Sequence, residues 1–325
     1  MDVHRMIDML RGSNFLVLGR AGMDLYADPP GTRTEEAAHF TSALGGSAAN
    51  IAAGIVKLGG TASLLTTLSD DAVGRFVRRQ LEHYGVGTAH LRTVAGEART
   101  SLAVVETRLH DCQSVIYRNA AADFALQPKD VAAVGMQDYG ALIVTGTALA
   151  VEPSRAATLM AMQMARAAQR PVILDIDYRP YSWTSAADAA ATCSEAARGC
   201  DLLVGNDLEF DVMAGGSGGR ELAEQLAKQC SGVIYKMGEN GSIGFAGGNS
   251  FLTPIFPVAA LKPTGAGDAF MAGLVTGLAA GMDLPAALRR GTAAAAITVT
   301  RVGCAPASPT TRELAEFISR HPWQA

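Results

Sequence analysis

Phe15-Leu16-Val17-Leu18-Gly19 decides the architecture. Four apolar side chains in a row leave no polar face, so the segment suits a strand covered on both sides. The closing glycine lets the chain turn away from the sheet. Runs of this kind return at residues 63–68, 141–144, 171–175, 202–205 and 232–235. Between them lie Ala-rich stretches of helical character at 48–58, 73–83, 153–168, 220–228, 265–280 and 284–300. Two-sided strands alternating with helices predict βαβ units: a three-layer α/β/α sandwich on a mostly parallel central sheet, with right-handed crossovers.

Two segments interrupt the alternation. Residues 34–43 and 99–117 are extended and partly polar, and in the second Ser101–Val105 and Ser114–Tyr117 are joined across 108–113 like a hairpin. They follow early strands, so they are expected to form a small β lid over the sheet's ligand edge. The core would then comprise 1–33, 44–98 and 118–325.

Composition narrows the class. The chain has 325 residues, 49% of them hydrophobic, enough for one large core with a small appendage. Lys plus Arg number 27 against 31 Asp plus Glu, a net charge of −4, and no basic block stands out. That argues against a nucleic acid or an anionic membrane as partner. The five cysteines, Cys112, Cys193, Cys200, Cys230 and Cys304, are odd in number and lack C-x-x-C spacing, as expected of reduced cytoplasmic thiols and not of a zinc site. Asp2, Arg5, Asp8 and Arg11 leave no apolar core for a signal peptide, and the uncharged stretch 269–282 is too short to span a bilayer. The expectation is a soluble cytoplasmic protein.

The chemistry concentrates in Pro263-Thr264-Gly265-Ala266-Gly267-Asp268-Ala269-Phe270-Met271-Ala272-Gly273, a small-residue turn and one acid at the mouth of an apolar helix. A helix start presents N–H groups without intrahelical partners and the positive end of the macrodipole. Gly265 and Gly267 have no side chain to keep a phosphate from those donors. Asp268, held beside the bound anion, suits a proton acceptor for a hydroxyl attacking that phosphate. A glycine-rich turn before an aspartate is also an ordinary helix start. The sequence has no G-x-x-x-x-G-K-S/T, no G-x-G-x-x-G after a strand and no H-R-D or D-F-G set, which argues against P-loop, Rossmann and protein-kinase readings.

Other pieces point the same way. Gly45-Gly46-Ser47-Ala48-Ala49-Asn50 lets backbone approach a polyol, with Asn50 offering a donor and an acceptor. Asp24, in Gly19-Arg20-Ala21-Gly22-Met23-Asp24, lies past the first strand, where open α/β sheets bind ligands. Asn206-Asp207-Leu208-Glu209 follows a strand, and its oxygens suit a hydrated Mg²⁺. Lys236-Met237-Gly238-Glu239-Asn240-Gly241 is a turn that would approach a nucleotide from the side. Each has an ordinary counterpart: a capping Ser47, a solvated Asp24, an N-cap at Asn206.

Together and in this order, the pieces resemble the ribokinase/PfkB carbohydrate kinase family over nearly the whole chain, with 45–60 like its N-terminal signature and 262–273 like its C-terminal one. The resemblance implies the ribokinase-like fold, ATP as phosphoryl donor, and Mg²⁺. It implies Asp268 as catalytic base, Gly265-Ala266-Gly267 as anion hole, and Asp24, Gly45, Gly46 and Asn50 as sugar ligands. By the same resemblance Asn206, Lys236, Gly238, Gly241, Thr264 and Thr292 serve the nucleotide, Thr292 near the adenine, while Asn206 and Glu209 reach Mg²⁺ through water. The lid also implies a homodimer interface.

Charge speaks to the acceptor. Arg118, in Tyr117-Arg118-Asn119, and Arg179, in Asp175-Ile176-Asp177-Tyr178-Arg179-Pro180, would suit a carboxylate if both aim into one cleft. Each is otherwise a surface arginine. Both motifs resemble those of sugar-acid kinases. The strings at 19–26, 177–183 and 261–268 also resemble that group, and the resemblance implies phosphorylation of 5-dehydro-2-deoxygluconate at C6, a step of myo-inositol breakdown. 2-dehydro-3-deoxygluconate and fructose are the alternative acceptors, and a non-catalytic sugar or nucleotide sensor is the alternative of another class.

The chain departs from the wider family at Lys262, where ribokinase-like members usually carry an aspartate that helps bind a monovalent cation. Thr298, Arg301 and Gly303 fall where family carbonyls share that ion. The expectation is that the Lys262 ammonium occupies or neighbours the cation site; the alternative is that it points to solvent.

Overall fold

The computed structural model describes residues 1–12 and 14–321. Its strands are, in chain order, β1 (Asn14–Leu18), β2 (Gly22–Asp28), β3 (His39–Gly45), β4 (Thr61–Ser69), β5 (Leu91–Val94), β6 (Ser101–Val105) and β7 (Ser114–Tyr117). They continue as β8 (Ala141–Thr145), β9 (Val172–Asp175), β10 (Leu202–Asn206), β11 (Gly232–Lys236), β12 (Ser242–Ala246) and β13 (Asn249–Thr253). Among the described residues a nine-stranded sheet runs β13-β12-β11-β10-β9-β8-β1-β4-β5, and a four-stranded sheet runs β3-β2-β6-β7. From β11 to β5 every pairing is parallel; β12 and β13 turn back antiparallel at one edge.

The apolar run in β1 is two-sided. Phe15 and Val17 enter one core with the helices Ser47–Lys57, Ala266–Ala279 and Leu284–Val299. Leu16 and Leu18 enter the other, with Ser154–Ala167, Ala186–Ala197 and Asp207–Met213. All four side chains are buried, and each contributes roughly 1.5–3 kcal/mol by leaving water. This alternation makes the three layers.

The lid differs from the expected segments 34–43 and 99–117. β6 and β7 pair antiparallel, Leu102 opposite Tyr117. The other arm is His39–Gly45, preceded by one 3₁₀ turn at Thr34–Glu36. The strand joining the arms is β2, which the sequence reading assigns to the core: Asp24 pairs with Ala43 on one side and Ala103 on the other. Asp24 breaks an apolar strand pattern because it faces a cleft.

The edge strands β5, β12 and β13 and the helices Val3–Leu10, Ala186–Ala197 and Thr311–Arg320 were not anticipated. All five cysteines are free, yet the sulfurs of Cys200 and Cys230 lie 3.9 Å apart at the entrances of neighbouring β10 and β11. No helix among the described residues is long and apolar enough to cross a membrane.

Candidate active site

The carboxyl ends of the parallel strands open into a cavity of about 410 Å³, walled on one side by the lid. Strand order diverges about β1, which pairs with β4 on one side and β8 on the other, the kind of switch point where open sheets bind ligands.

The helix Ala266–Ala279 starts at this cavity. Its N-cap, Gly265, has φ +84°, a left-handed conformation that favours glycine, and a Cβ there would run into Cys304. Thr264, Gly265, Gly267 and Asp268 line the cavity, while Ala266 opens the helix between them. Asn50, from the first turn of Ser47–Lys57, donates from Nδ2 to Asp268 Oδ2 at 2.9 Å. The two segments singled out in the sequence therefore meet at the acid. Burial, with repulsion from Asp177, pushes the Asp268 carboxyl up to about 6, against the Asn50 hydrogen bond.

Asp24, Gly46 and Asn50 line the neighbouring wall with the lid residues Ala103, Val105 and Ile116. Gly45 does not line it but makes room, since a Cβ there would overlap the Asp24 carboxylate. The Tyr26 hydroxyl lies 3.0 Å from Asp24 Oδ2 and 3.2 Å from Cys304 Sγ. Burial raises the Asp24 carboxyl's affinity for protons, opposed chiefly by the Arg20 charge.

Across the cavity stand Asn206, Glu209 and Lys236. Asn206 Oδ1 accepts from the Glu209 N–H at 2.9 Å and Glu209 Oε2 from the Asn206 N–H at 2.7 Å, a capping box for the helix Asp207–Met213. Glu209 Oε1 accepts from the Tyr178 N–H at 3.1 Å. The cap reading of this motif holds, and both residues also line the cavity. Lys236 Nζ lies 3.8 Å from Asp175 Oδ1. Burial, with repulsion from Glu209, Asp177 and Asp268, pushes Asp175 up to about 7 despite the lysine. Among the described residues no cluster of three or more His, Cys, Asp and Glu could hold a metal directly. The surplus of carboxylates instead suits a hydrated cation reached through water.

Several expected residues lie elsewhere. Gly238 and Gly241 bound the turn after β11 without lining the cavity. Thr292 is buried in the helix Leu284–Val299, its hydroxyl donating to the Leu288 carbonyl at 3.0 Å. Arg118 does not join Arg179 in the cavity wall. Its guanidinium is buried, donates to Asp123 and to Ser182 Oγ, and stacks on Phe124. The return of the lid strand to the core puts Arg118 over a buried acid, which claims it. Arg179 does line the cavity, 2.9 Å from Asp177 Oδ1. Burial works against ionisation of Asp177, but Arg179, Ser47, Arg20 and Thr147 hold its carboxyl below the ordinary value.

Lys262 is fully buried and does not point to solvent; its ammonium donates to the Thr264 carbonyl. The last turn of the helix Leu284–Val299, which holds Thr298 and leads into Arg301 and Gly303, is adjacent, since Val299 O accepts from the Leu261 N–H at 2.8 Å. Arg301 pairs with Glu313 at 2.9 Å. Sequence reasoning missed Arg20, Asp175, Asp177, Tyr181 and Cys304 as cavity residues. Arg20 and the two aspartates stood in quoted strings, and their places at or just past strand ends were the available signal.

Known proteins resemble this chain over most of its length. Residues 13–311 match the model of the pfkB family carbohydrate kinases. The 5-dehydro-2-deoxygluconokinase of Photobacterium profundum is 41% identical over 310 residues, covering 93% of this chain and 94% of its own. That of Geobacillus kaustophilus is 36% identical, covering 97% and 96%. Among solved structures, a Vibrio cholerae O395 fructokinase double mutant in fructose, ADP and potassium ion bound form superposes with TM-score 0.85 at 25% identity, covering 94% of this chain and 98% of that one. A match over nearly the whole length means that this chain belongs to the pfkB family of carbohydrate kinases.

Proposed function

We propose that the chain transfers the γ-phosphoryl group of ATP to the C6 hydroxyl of 5-dehydro-2-deoxygluconate. One observation carries the reading: Asp268 sits in the first turn of a helix that opens on the cavity, hydrogen-bonded by Asn50 from the opposite signature. The relatives that share the name of this activity support the acceptor. Asp268 accepts the proton of the C6 hydroxyl as its oxygen bonds to the γ-phosphorus, and the bond from that phosphorus to the ADP oxygen breaks. With its carboxyl up at about 6, Asp268 is ionised at neutral pH and still basic enough to take the proton. The N–H groups of the turn 265–267, among which that of Ala266 also donates to the Pro263 carbonyl at 3.4 Å, and the Lys236 ammonium offset charge on the transferring group. Asp24 and Asn50 hold the acceptor's hydroxyls, and the apolar lid residues keep water from competing.

Asn206 and Glu209 would hold hydrated Mg²⁺ indirectly, with Asp175 nearby. Mg²⁺ would supply positive charge along the phosphate chain. The buried Lys262 ammonium, bonded to the carbonyl that precedes the anion turn, supports the reading that a built-in cation stands where relatives use a dissolved one. The outer face of the lid carries the exposed Val115 and Tyr117 beside Leu25, Val104, Met23 and Leu102, which suits pairing with a second copy of this lid.

The experiment is an ATP-coupled assay over 5-dehydro-2-deoxygluconate, 2-dehydro-3-deoxygluconate, fructose and adenosine. The first should give the highest kcat/KM; fructose or adenosine exceeding both acids would overturn the reading.

A further inference from the structure

Arg20 is the second residue past β1, and its backbone is fixed by the Gly45-Gly46 turn. Its carbonyl accepts from the Ala49 N–H at 3.3 Å, and a Cβ on Gly46 would collide with that same carbonyl oxygen. From this anchored base the side chain lines the cavity on the wall of Asp24, Gly46 and Asn50. The residue is only 7% exposed.

Its guanidinium is nonetheless not directly bonded at every donor. Among the described residues Nη1 is buried without a hydrogen-bond partner, while the charges of Asp24, Asp177 and Asp268 act on the group without a hydrogen bond to Nη1. The other cavity cations are held: Arg179 by Asp177 at 2.9 Å and Lys236 by Asp175 at 3.8 Å. Arg118 is held outside the cavity by Asp123. A buried donor is costly unless it is hydrogen-bonded, so a nearly enclosed guanidinium with an unfilled donor beside a ligand cavity suits an acceptor brought by the ligand. The phosphates of the donor already have the helix mouth at 264–267 and Lys236 on the opposite wall. Arg20 stands on the acceptor's wall.

We propose that Arg20, and not Arg118, determines specificity for a sugar acid by taking the acceptor's carboxylate on its planar fork; this rests on the kinase reading above. A guanidinium presents two parallel donors to a carboxylate, which a lysine does not. In a linear six-carbon acid the carboxylate and the primary alcohol are at opposite ends. Fixing the first at Arg20 therefore aims the second at Asp268. Arg20 acts on the substrate's remote end and takes no part in proton transfer.

The test compares wild type with Arg20→Met and Arg20→Lys, using the keto-deoxy sugar acid, its neutral primary amide and ATP as varied substrates. Losing a charge-assisted hydrogen-bonded pair should raise KM for the acid about 10- to 100-fold in Arg20→Met. KM for ATP should stay within about twofold and the preference for acid over amide should vanish. Arg20→Lys, which keeps the charge and guards against a folding defect, should retain part of that preference. Thermal shift gives a second readout: the acid should stabilise wild type and not Arg20→Met. An undiminished preference for acid in Arg20→Met, or an equal loss on acid and amide, overturns the assignment of Arg20 while leaving the kinase reading in place. A wild-type protein that phosphorylates no sugar acid overturns both.

Discussion

Burial gives Asp268 two opposite effects. Its carboxyl is raised from the ordinary 3.8 to about 6, so the folded state prefers the protonated acid. Above that value the ionised group costs stability, on the order of 3 kcal/mol, while only the ionised group accepts a proton. kcat/KM should therefore fall as pH drops through about 6. Asp268→Asn should melt higher than wild type at pH 8; an unchanged or lower melting temperature would argue against a strained acid. Lys262 belongs to the same scale. Burial pulls its ammonium below the ordinary lysine value, against attraction from Cys304 and Asp268, and its hydrogen bond reaches the anion turn. Wild-type turnover should hardly change when tetramethylammonium replaces K⁺, and Lys262→Ala should lose activity that added K⁺ restores. A strong K⁺ requirement in wild type would contradict the built-in cation. Arg118 shows what spacing cannot convey: its buried partner Asp123 is only five residues on, yet which of lid, core or cleft claims a guanidinium depends on where the lid strand lands.

Gly273 shows how the helix that presents Asp268 is held. It packs against Leu284–Val299 so closely that a Cβ would meet Gly291 Cα and the Arg290 carbonyl. Ala is the better helix former by about 1 kcal/mol, but overpacking against backbone costs typically about 1–3 kcal/mol, so the clash wins. Gly273→Ala should lower the melting temperature and reduce kcat; a more stable protein would show that the helices part freely. The lid makes the complementary case. Among its exposed outer residues Tyr117 is 60% accessible, so Val115→Glu in the same strand should convert a dimer to monomers by light scattering. A monomeric wild type removes the pairing. The arms of the hairpin were legible because their alternation is clean. β2 was not, because Asp24 and Tyr26 put polar groups on its inward face, and sites commonly break the local pattern they sit in.

Over the whole molecule, the parallel core was readable because strands buried on both faces must be written almost entirely in apolar residues. Edge strands such as β13, covered on fewer sides, carry no such mark. The cavity followed the same division. Residues on the two glycine-rich turns were found by their local signature, whereas Asp175 and Arg20 acquire meaning only once separate strands end side by side. Asp24, Asp175, Asp177, Glu209 and Asp268 gather at that edge against Arg20, Arg179 and Lys236, a surplus of acids that should be balanced only with added cations in place. The account stands or falls on what this edge does with its acid. The most direct test mixes enzyme with stoichiometric ATP and 5-dehydro-2-deoxygluconate and follows the phosphorus by NMR, in wild type and in Asp268→Asn. The account predicts a sugar 6-phosphate and ADP from wild type, formed about 10²–10⁴-fold more slowly by the variant. Equal rates in the two proteins, or phosphate released to water with no sugar phosphate, would contradict it.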